Sequence, residues 1–323
     1  MLNILVTGGT GMVGTAIKEL IRKSKIYQSH NFTFISSRNY DLRDKAAVER
    51  CFSERNYDLI IHLAAIVGGL YKNMAFNLEM LMDNLKINMN VLEACHKYNV
   101  SRGIFCLSSC IYPKYPPNFP MTEDMLCSSE PHDSNEGYAY AKRMLYIMCK
   151  HYNKQYQRQY ICVSPVNLYG FNDNFNIKDG HVIPGLINRM FKTKHKIAPY
   201  ESGKYEVWGT GMAYRQFLFA SDFAIILLQI LFNENVKDGL YNICPDPDQE
   251  YKIRTIIAII ASKLEFEYKD IYFNDNYSDG ILKKTVSNEK LREILPTFKF
   301  TEIDDGIIKT IDWYLNNLDT LRG

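Results

Sequence analysis

Three glycines, Gly8, Gly11 and Gly14, follow the apolar run Ile4 to Thr7 at intervals of three, and an amphipathic stretch begins at Met12. Few folds accept that succession. A buried strand, a glycine turn and a helix in immediate order open a βαβ unit. The glycines let the backbone approach a pyrophosphate, and the helix N-terminus supplies N–H donors and a favourable dipole. This feature predicts a dinucleotide site at the very start of the chain.

The rest of the first half continues the rhythm. Strands are expected at Phe32 to Ser36, Leu59 to Ala64, Gly103 to Ser109 and Tyr160 to Pro165. Helices are expected at Met12 to Lys23, Asp44 to Arg55, Met74 to Tyr98 and Gly137 to Tyr156. The alternation predicts an α/β fold, a Rossmann-type doubly wound parallel sheet covered on both faces. Ligands in such sheets lie outside the carboxyl ends of the strands. After Gly170 the loops lengthen, and helical patterns return at Asp222 to Phe232, Ile253 to Lys263 and Ile303 to Leu318. The reading is an NADP-binding domain over residues 1–170 and a smaller α/β substrate lobe over 171–323, with some segments returning to the first domain.

With 323 residues the chain can bury a large core. A net charge of +2 gives no bulk attraction to nucleic acid or to a membrane. No apolar run reaches the ~18 residues a bilayer requires. The eight cysteines show no C-x-x-C pair and no His/Cys cluster at zinc spacing, so reduced thiols and no metal are expected. The opening MLNILVTGGTGMVG lacks the charged segment and cleavage site of a signal peptide. A soluble cytoplasmic protein is the expectation.

The second strand ends on Ser36, Ser37 and Arg38. An acidic residue at that tip would bind a ribose 2′-hydroxyl, whereas a guanidinium with two hydroxyls suits a 2′-phosphate. NADP(H) is therefore favoured, with Asp41 close enough to keep NAD in play. In GYAYAKRM, Tyr138 and Lys142 are four apart and share one helix face. An ammonium beside a phenol lowers its pKa toward a range where protons move easily. A hydroxyl at an adjacent strand end, Ser108, completes a relay for carbonyl reduction by hydride. If Ser108 to Cys110 stays extended, their side chains face one pocket and Ser109 faces elsewhere. By the residues alone, Cys110 reads as a small buried hydrophobe or as a placed thiol. Cys106 and His62 read as core.

The blocks GMVGTAI, HLAAIVGG, SSCIYPK, GYAYAK, NLYG, DNFNIKDGHVIPGLI, VWGTG, RQF and SDGILKK occur in an order that resembles the GDP-L-fucose synthase family of extended short-chain dehydrogenase/reductases. The resemblance runs from residue 3 to about residue 316. SSCIYP with GHVIPG is specific to that family, whereas the glycine turn and Y-x-x-x-K belong to the whole superfamily. It implies a bifunctional enzyme that takes GDP-4-keto-6-deoxy-D-mannose, epimerises C3 and C5, and reduces C4 with NADPH. Homodimers joined through helices of the nucleotide domain are also implied.

Carried over by motif, Tyr138 is the proton donor, Lys142 its partner, Ser108 the carbonyl-orienting hydroxyl, and Cys110 and His181 the epimerase pair. Cofactor contacts fall on Gly8, Gly9, Thr10, Gly11, Met12, Val13 and Gly14, on Arg38, Asp41 and Leu42, and on Leu63, Ala64 and Ala65. Lys142, Pro165, Val166, Asn167, Leu168 and His181 complete them. Substrate contacts fall on Asn167, Arg189, Trp208, Arg215, Asp279 and Lys284. Val166 departs from the family's usual threonine. Another nucleotide-sugar enzyme on the scaffold, a 4-epimerase or 4,6-dehydratase, is the first alternative, and a non-catalytic NADP-binding regulator the second. A dehydratase would carry an acid where Ser109 and Cys110 stand, and regulators tend to lose the tyrosine or lysine.

Overall fold

The computed structural model describes residues 1–176, 180–277 and 279–321. Residues 177–179 of the DNFNIKDGHVIPGLI block and the first residue of SDGILKK lie outside them. Six parallel strands form the central sheet: β1 (Asn3–Thr7), β2 (Asn31–Phe34), β3 (Leu59–His62), β4 (Arg102–Cys106), β5 (Gln159–Pro165) and β10 (Gly239–Ile243). Their order is β10-β5-β4-β3-β1-β2, with Ile4 beside Leu59 and Phe32, and Leu59 beside Arg102. Helices cover both faces, so the strand interiors are continuously apolar: Leu5, Val6, Ile60, Ile61, Ile104, Phe105 and Ile161 are fully buried. Each such side chain contributes about 1.5–3 kcal/mol by leaving water. The chain leaves β1 for β2 on one side and returns to β3 on the other. The loops after β1 and β3 therefore flank the crevice where a ligand fits.

The helices of this half are α1 (Met12–Lys23), α2 (Lys45–Ser53), α3 (Leu70–Ala75), α4 (Asn77–Lys97) and α5 (Glu136–Tyr156). Asp44 caps α2 by accepting from the Ala46 N–H at 2.9 Å. The pattern expected to be one helix from Met74 to Tyr98 is two, broken at Phe76 (φ −128°, ψ 41°). The start of α5 packs on that break. The Gly137 N–H donates to Asn77 Oδ1 at 2.7 Å, and a Cβ at Gly137 would meet the Asn77 carbonyl oxygen at 2.1 Å. That contact requires glycine and fixes the register of α5 on α4.

Beyond β5 come β6 (Asn167–Tyr169), β7 (Tyr205–Trp208), β8 (Tyr214–Arg215), β9 (Phe217–Phe219), β11 (Tyr251–Lys252) and β12 (Ile271–Asn274), paired as β6–β9, β7–β12 and β8–β11. With them lie α6 (Val182–Lys194), α7 (Ala220–Phe232), α8 (Ile253–Lys263), α9 (Glu289–Ile294) and α10 (Ile303–Asn316). Two apolar cores result. One runs through the six-stranded sheet and includes Phe223, Ile226 and Leu240. The other joins Tyr169, Ile187, Ile257 and Ile307. Hence α7 and β10 follow residue 170 in sequence yet pack with the first core. The helix α6 went unforeseen, although Pro184 in its first turn is a start signal.

Candidate active site

A cavity of about 900 Å³ runs along the carboxyl ends of β1, β3, β4 and β5 and on between the two cores. At one end stands the glycine turn. Gly11 precedes α1 with no side-chain cap, leaving that helix's first N–H groups for an anion. A Cβ at Gly14 would strike the Gly8 carbonyl oxygen at 2.6 Å and Gly9 Cα at 2.7 Å. Both are backbone, so the turn closes only around glycine. This cradle fits a dinucleotide pyrophosphate. Gly8, Thr10, Gly11, Met12, Val13, Leu42, Leu63, Ala64, Ala65, Pro165, Val166, Asn167 and Leu168 line the same wall. Gly9 does not. It faces β2, where its N–H donates to the Ile35 carbonyl at 2.7 Å.

The Leu63–Ala65 segment is held from beneath by a buried network. Thr7 Oγ1 accepts from the Leu63 and Ala64 N–H groups, both at 3.1 Å, and pairs with His62 Nδ1 at 2.8 Å. His62 Nε2 meets Asn88 Oδ1 at 3.3 Å. The amide oxygen can only accept, so Nε2 carries the proton and Thr7 donates to Nδ1. Burial, with the Lys142 charge, pushes the His62 pKa down to about 3, so the ring stays neutral. His62 is structural, as its strand position suggested.

At the adenosine end, Ser36, Ser37 and Asp41 line the cavity, whereas Arg38 is exposed and does not line it. The sequence overlooked Arg43, which does line it. Arg43 is committed to Asp41 at 2.8 Å and Asp83 at 3.0 Å. The Arg43 hydrogen bonds lower the Asp41 pKa and occupy the carboxylate that would accept from a ribose 2′-hydroxyl.

Below the nicotinamide end, Tyr138 and Lys142 share a face of α5. Lys142 Nζ lies 5.7 Å from the Tyr138 ring centroid and donates to the Cys106 carbonyl at 2.6 Å. Lys142 is buried, which lowers its pKa. Contrary to the expected lowering, burial raises the Tyr138 phenol well above its ordinary value. The phenol is therefore a proton donor at rest. Cys106 is half-buried and lines the cavity, and burial pushes its thiol up to about 11.

The extended Ser108–Cys110 expectation is corrected. β4 stops at Cys106, and Ser109–Ile111 form a 3-10 turn. Ser108, at φ −163° and ψ 149°, caps the turn by accepting from the Cys110 N–H at 3.4 Å. Serine at a strand end offers the backbone this local alternative, and the turn takes it. Alternation is thereby lost, and Ser108, Ser109 and Cys110 all line the cavity. Burial raises the Cys110 pKa; Lys284, the Ser108 hydrogen bond and Lys142 work against it.

His181, at the N-terminus of α6, lines the same cavity. Its Nδ1 lies 3.8 Å from Asp173 Oδ1. The sequence reading missed Asp173 because its contact with His181 follows no periodicity; its signal was that it is the acid opening the same DNFNIKDGHVIPGLI block that carries His181. His132, Ser134 and Asn135, just before α5, also line the cavity and were missed.

The far end is cationic. Arg189, Arg215 and Lys284 line it, and burial lowers the pKa of Arg215 and of Lys284. The Arg189 guanidinium lies 5.1 Å from the Tyr205 ring and 5.2 Å from Trp208, which stacks on Tyr277 at 5.1 Å. Asp279 binds the Gly211 N–H at 3.1 Å and the Thr210 hydroxyl, pinning the WGTG turn to the SDG loop. Asn167 donates to the Gln216 carbonyl at 2.9 Å. Fixed cations beside an aromatic platform suit a nucleotide pyrophosphate and base.

Residues 4–244 match the NAD dependent epimerase/dehydratase family. A probable GDP-L-fucose synthase of Drosophila melanogaster is 38% identical, covering 100% of both chains. The GDP-L-fucose synthase of Dictyostelium discoideum is 36% identical over 99% of this chain and 97% of its own length. A GDP-L-fucose synthetase from Naegleria fowleri, solved bound to NADP, superposes with a TM-score of 0.91 at 36% identity, covering 99% of this chain and 95% of that one. The chain belongs to the NAD dependent epimerase/dehydratase family, within its GDP-L-fucose synthase branch.

Proposed function

We propose that the protein converts GDP-4-keto-6-deoxy-D-mannose to GDP-L-fucose as an NADPH-dependent 3,5-epimerase and 4-reductase. The observation that carries this reading is a single cavity lined by both a reductive set, Ser108, Tyr138 and Lys142, and an acid–base pair, Cys110 and His181. Protons at C3 and C5 are acidic because both carbons adjoin the C4 ketone. Cys110 and His181 remove and return them from opposite faces of the sugar ring. Tyr138 and Ser108 hold the C4 oxygen and stabilise it as charge develops there. The same phenol then gives its proton to that oxygen, with Lys142 beside it. NADPH, held by the glycine turn, Leu63–Ala65 and Pro165–Leu168, supplies the hydride when bound. Arg189, Arg215 and Lys284 hold the substrate pyrophosphate. A 4-epimerase has no use for the thiol–imidazole pair.

Arg38 is the cation assigned to the cofactor's 2′-phosphate, since Arg43 is already neutralised by two carboxylates. The protein acts in the cytoplasm. It works as a homodimer joined through α4 and α5, which pack together and expose Leu78, Met82, Met89, Tyr140 and Met144. That apolar display suits a second copy of the same face. A monomer mass in sedimentation equilibrium would overturn the dimer. No helix among the described residues is long and apolar enough to cross a membrane.

One experiment tests the function. Incubation with GDP-4-keto-6-deoxy-D-mannose and NADPH in deuterated water should give a product bearing deuterium at C3 and C5, inverted at both, with C4 reduced. NMR reads all of this together. Reduction without exchange would leave a plain reductase. Replacing NADPH by NADH should slow the reaction about tenfold, the worth of a charge-assisted contact. Equal rates would sink the Arg38 assignment.

A further inference from the structure

We propose that Asp173 is a positioning residue for the epimerase step: its buried carboxylate faces the Nδ1 edge of His181 and leaves Nε2 to exchange protons with the sugar. The inference rests on the acid–base role assigned to His181 above.

The geometry is specific. Asp173 is 3% exposed. Its Oδ1 accepts from the Asn174 N–H at 2.7 Å and stands 3.8 Å from His181 Nδ1. Its Oδ2 is buried with no hydrogen-bond partner among the described residues. A buried carboxylate oxygen left without a donor is costly, and a neighbouring imidazolium is the group that offsets the cost. His181 remains partly exposed on the cavity side. One ring edge is therefore turned to the acid and the other is left for substrate.

Two local fields act on this ring in opposite senses. His181 sits at the N-terminus of α6, where the helix dipole disfavours a cation modestly. A carboxylate within ~4–6 Å favours the cation by about 1–3 pKa units, so the acid wins. The His181 pKa is indeed raised, through Asp173 first, with burial opposing. Cys110 on the 3-10 turn, Tyr138 and Lys142 on α5, Arg189 on α6 and Lys284 share the cavity wall, but Asp173 is the charge that acts on His181.

In the step itself, Nε2 accepts the C–H proton and the bond's electron pair moves toward the C4 oxygen. The imidazolium so formed has its second N–H at Nδ1, opposite Asp173. Donation on the return reverses this. Asp173 takes no proton; it supplies orientation and charge. Whether His181 is the base or the acid at a given carbon, removing that charge moves its limb of the pH profile the same way, to lower pH.

The test uses the full-length protein labelled with ¹⁵N-histidine, the signal of His181 being identified by its loss in His181→Asn. In the wild type, His181 should titrate above the ordinary ~6.5. In Asp173→Asn it should titrate about one pH unit lower. The corresponding limb of C3/C5 deuterium exchange should move with it, while NADPH binding is unchanged. In the His181→Asn background, Asp173→Asn should cost no further exchange. A wild-type titration at or below the ordinary value would overturn the proposal without any Asp173 variant, so failure of that variant to fold does not protect it. Additive losses in the double variant would overturn it too. Full exchange in His181→Asn would remove His181 from the chemistry and the positioning role with it. Lost exchange in that variant, with an unshifted titration in Asp173→Asn, would overturn the positioning role alone.

Discussion

Replacing Tyr138 by Phe is expected to abolish ketone reduction while deuterium exchange at C3 and C5 persists. Loss of a general acid typically costs about 10²–10⁴-fold. The substitution is clean in this setting. Phenylalanine keeps the ring 5.7 Å below the Lys142 ammonium, and Lys142 keeps its 2.6 Å bond to the Cys106 carbonyl. What disappears is the O–H. Burial raises the Tyr138 pKa well above its ordinary value, so that O–H is the donor form throughout the neutral range. Reduction needs a proton delivered to C4 oxygen, and no other donor in the reductive set replaces it: Ser108 is a far weaker acid. Exchange needs only that the enolate oxygen be held, which Ser108 can still do in part. NADPH oxidation should therefore fall by the full factor and exchange by much less. Equal losses in both, measured in the same deuterated reaction, would contradict the division of labour between the two sets.

The residues that sequence alone could place are those whose partners are local. The glycine turn is fixed by β1 on one side and α1 on the other within a dozen residues. Tyr138 and Lys142 meet because helical geometry puts residues four apart on one face. His62 could be read as core because it lies inside the apolar run Leu59 to Ala64. The parts that escaped depend on longer or competing interactions. Ser108 could either continue β4 or cap a turn, and its own hydroxyl settled the matter in favour of the turn, a choice that no alternation rule contains. The break at Phe76 exists because the start of α5, some sixty residues on, needs the Asn77 backbone at van der Waals range. Asp173 and His181 stand 3.8 Å apart although their positions lie eight apart in the sequence, a pairing that no local period supplies. Arg43 was overlooked because its role depends on Asp83, forty residues away on α4. The return of β10 to the sheet edge, beside β5, is set by its pairing with β5 and by the burial of Leu240 and Ile243 in the first core rather than by any local signal.

Replacing Cys110 by Ser should suppress C3/C5 exchange by about 10²–10⁴-fold while NADPH still binds. The change is nearly isosteric, but the chemistry is not equivalent. A thiol has an ordinary pKa of about 8.5 and can give or take a proton near neutrality. An alcohol cannot do so at a useful rate. Burial raises the Cys110 pKa, whereas the Lys284 ammonium, the Ser108 hydrogen bond and the Lys142 ammonium draw it back. A site that places two ammonium groups by a buried thiol is built to tolerate a thiolate when the proton leaves. Serine in the same 3-10 turn would keep the Ser108 cap, which is made to the backbone N–H and not to the side chain. The fold and the glycine turn after β1, two strands away from β4 in the sheet, should be unaffected. Reduction should then proceed, if at all, on sugar whose C3 and C5 protons have not been exchanged. The product would lack deuterium at both carbons and retain their starting configuration. An unchanged exchange rate in this variant would remove Cys110 from the mechanism. The epimerase assignment would then have to rest on His181 and a second group elsewhere on the cavity wall.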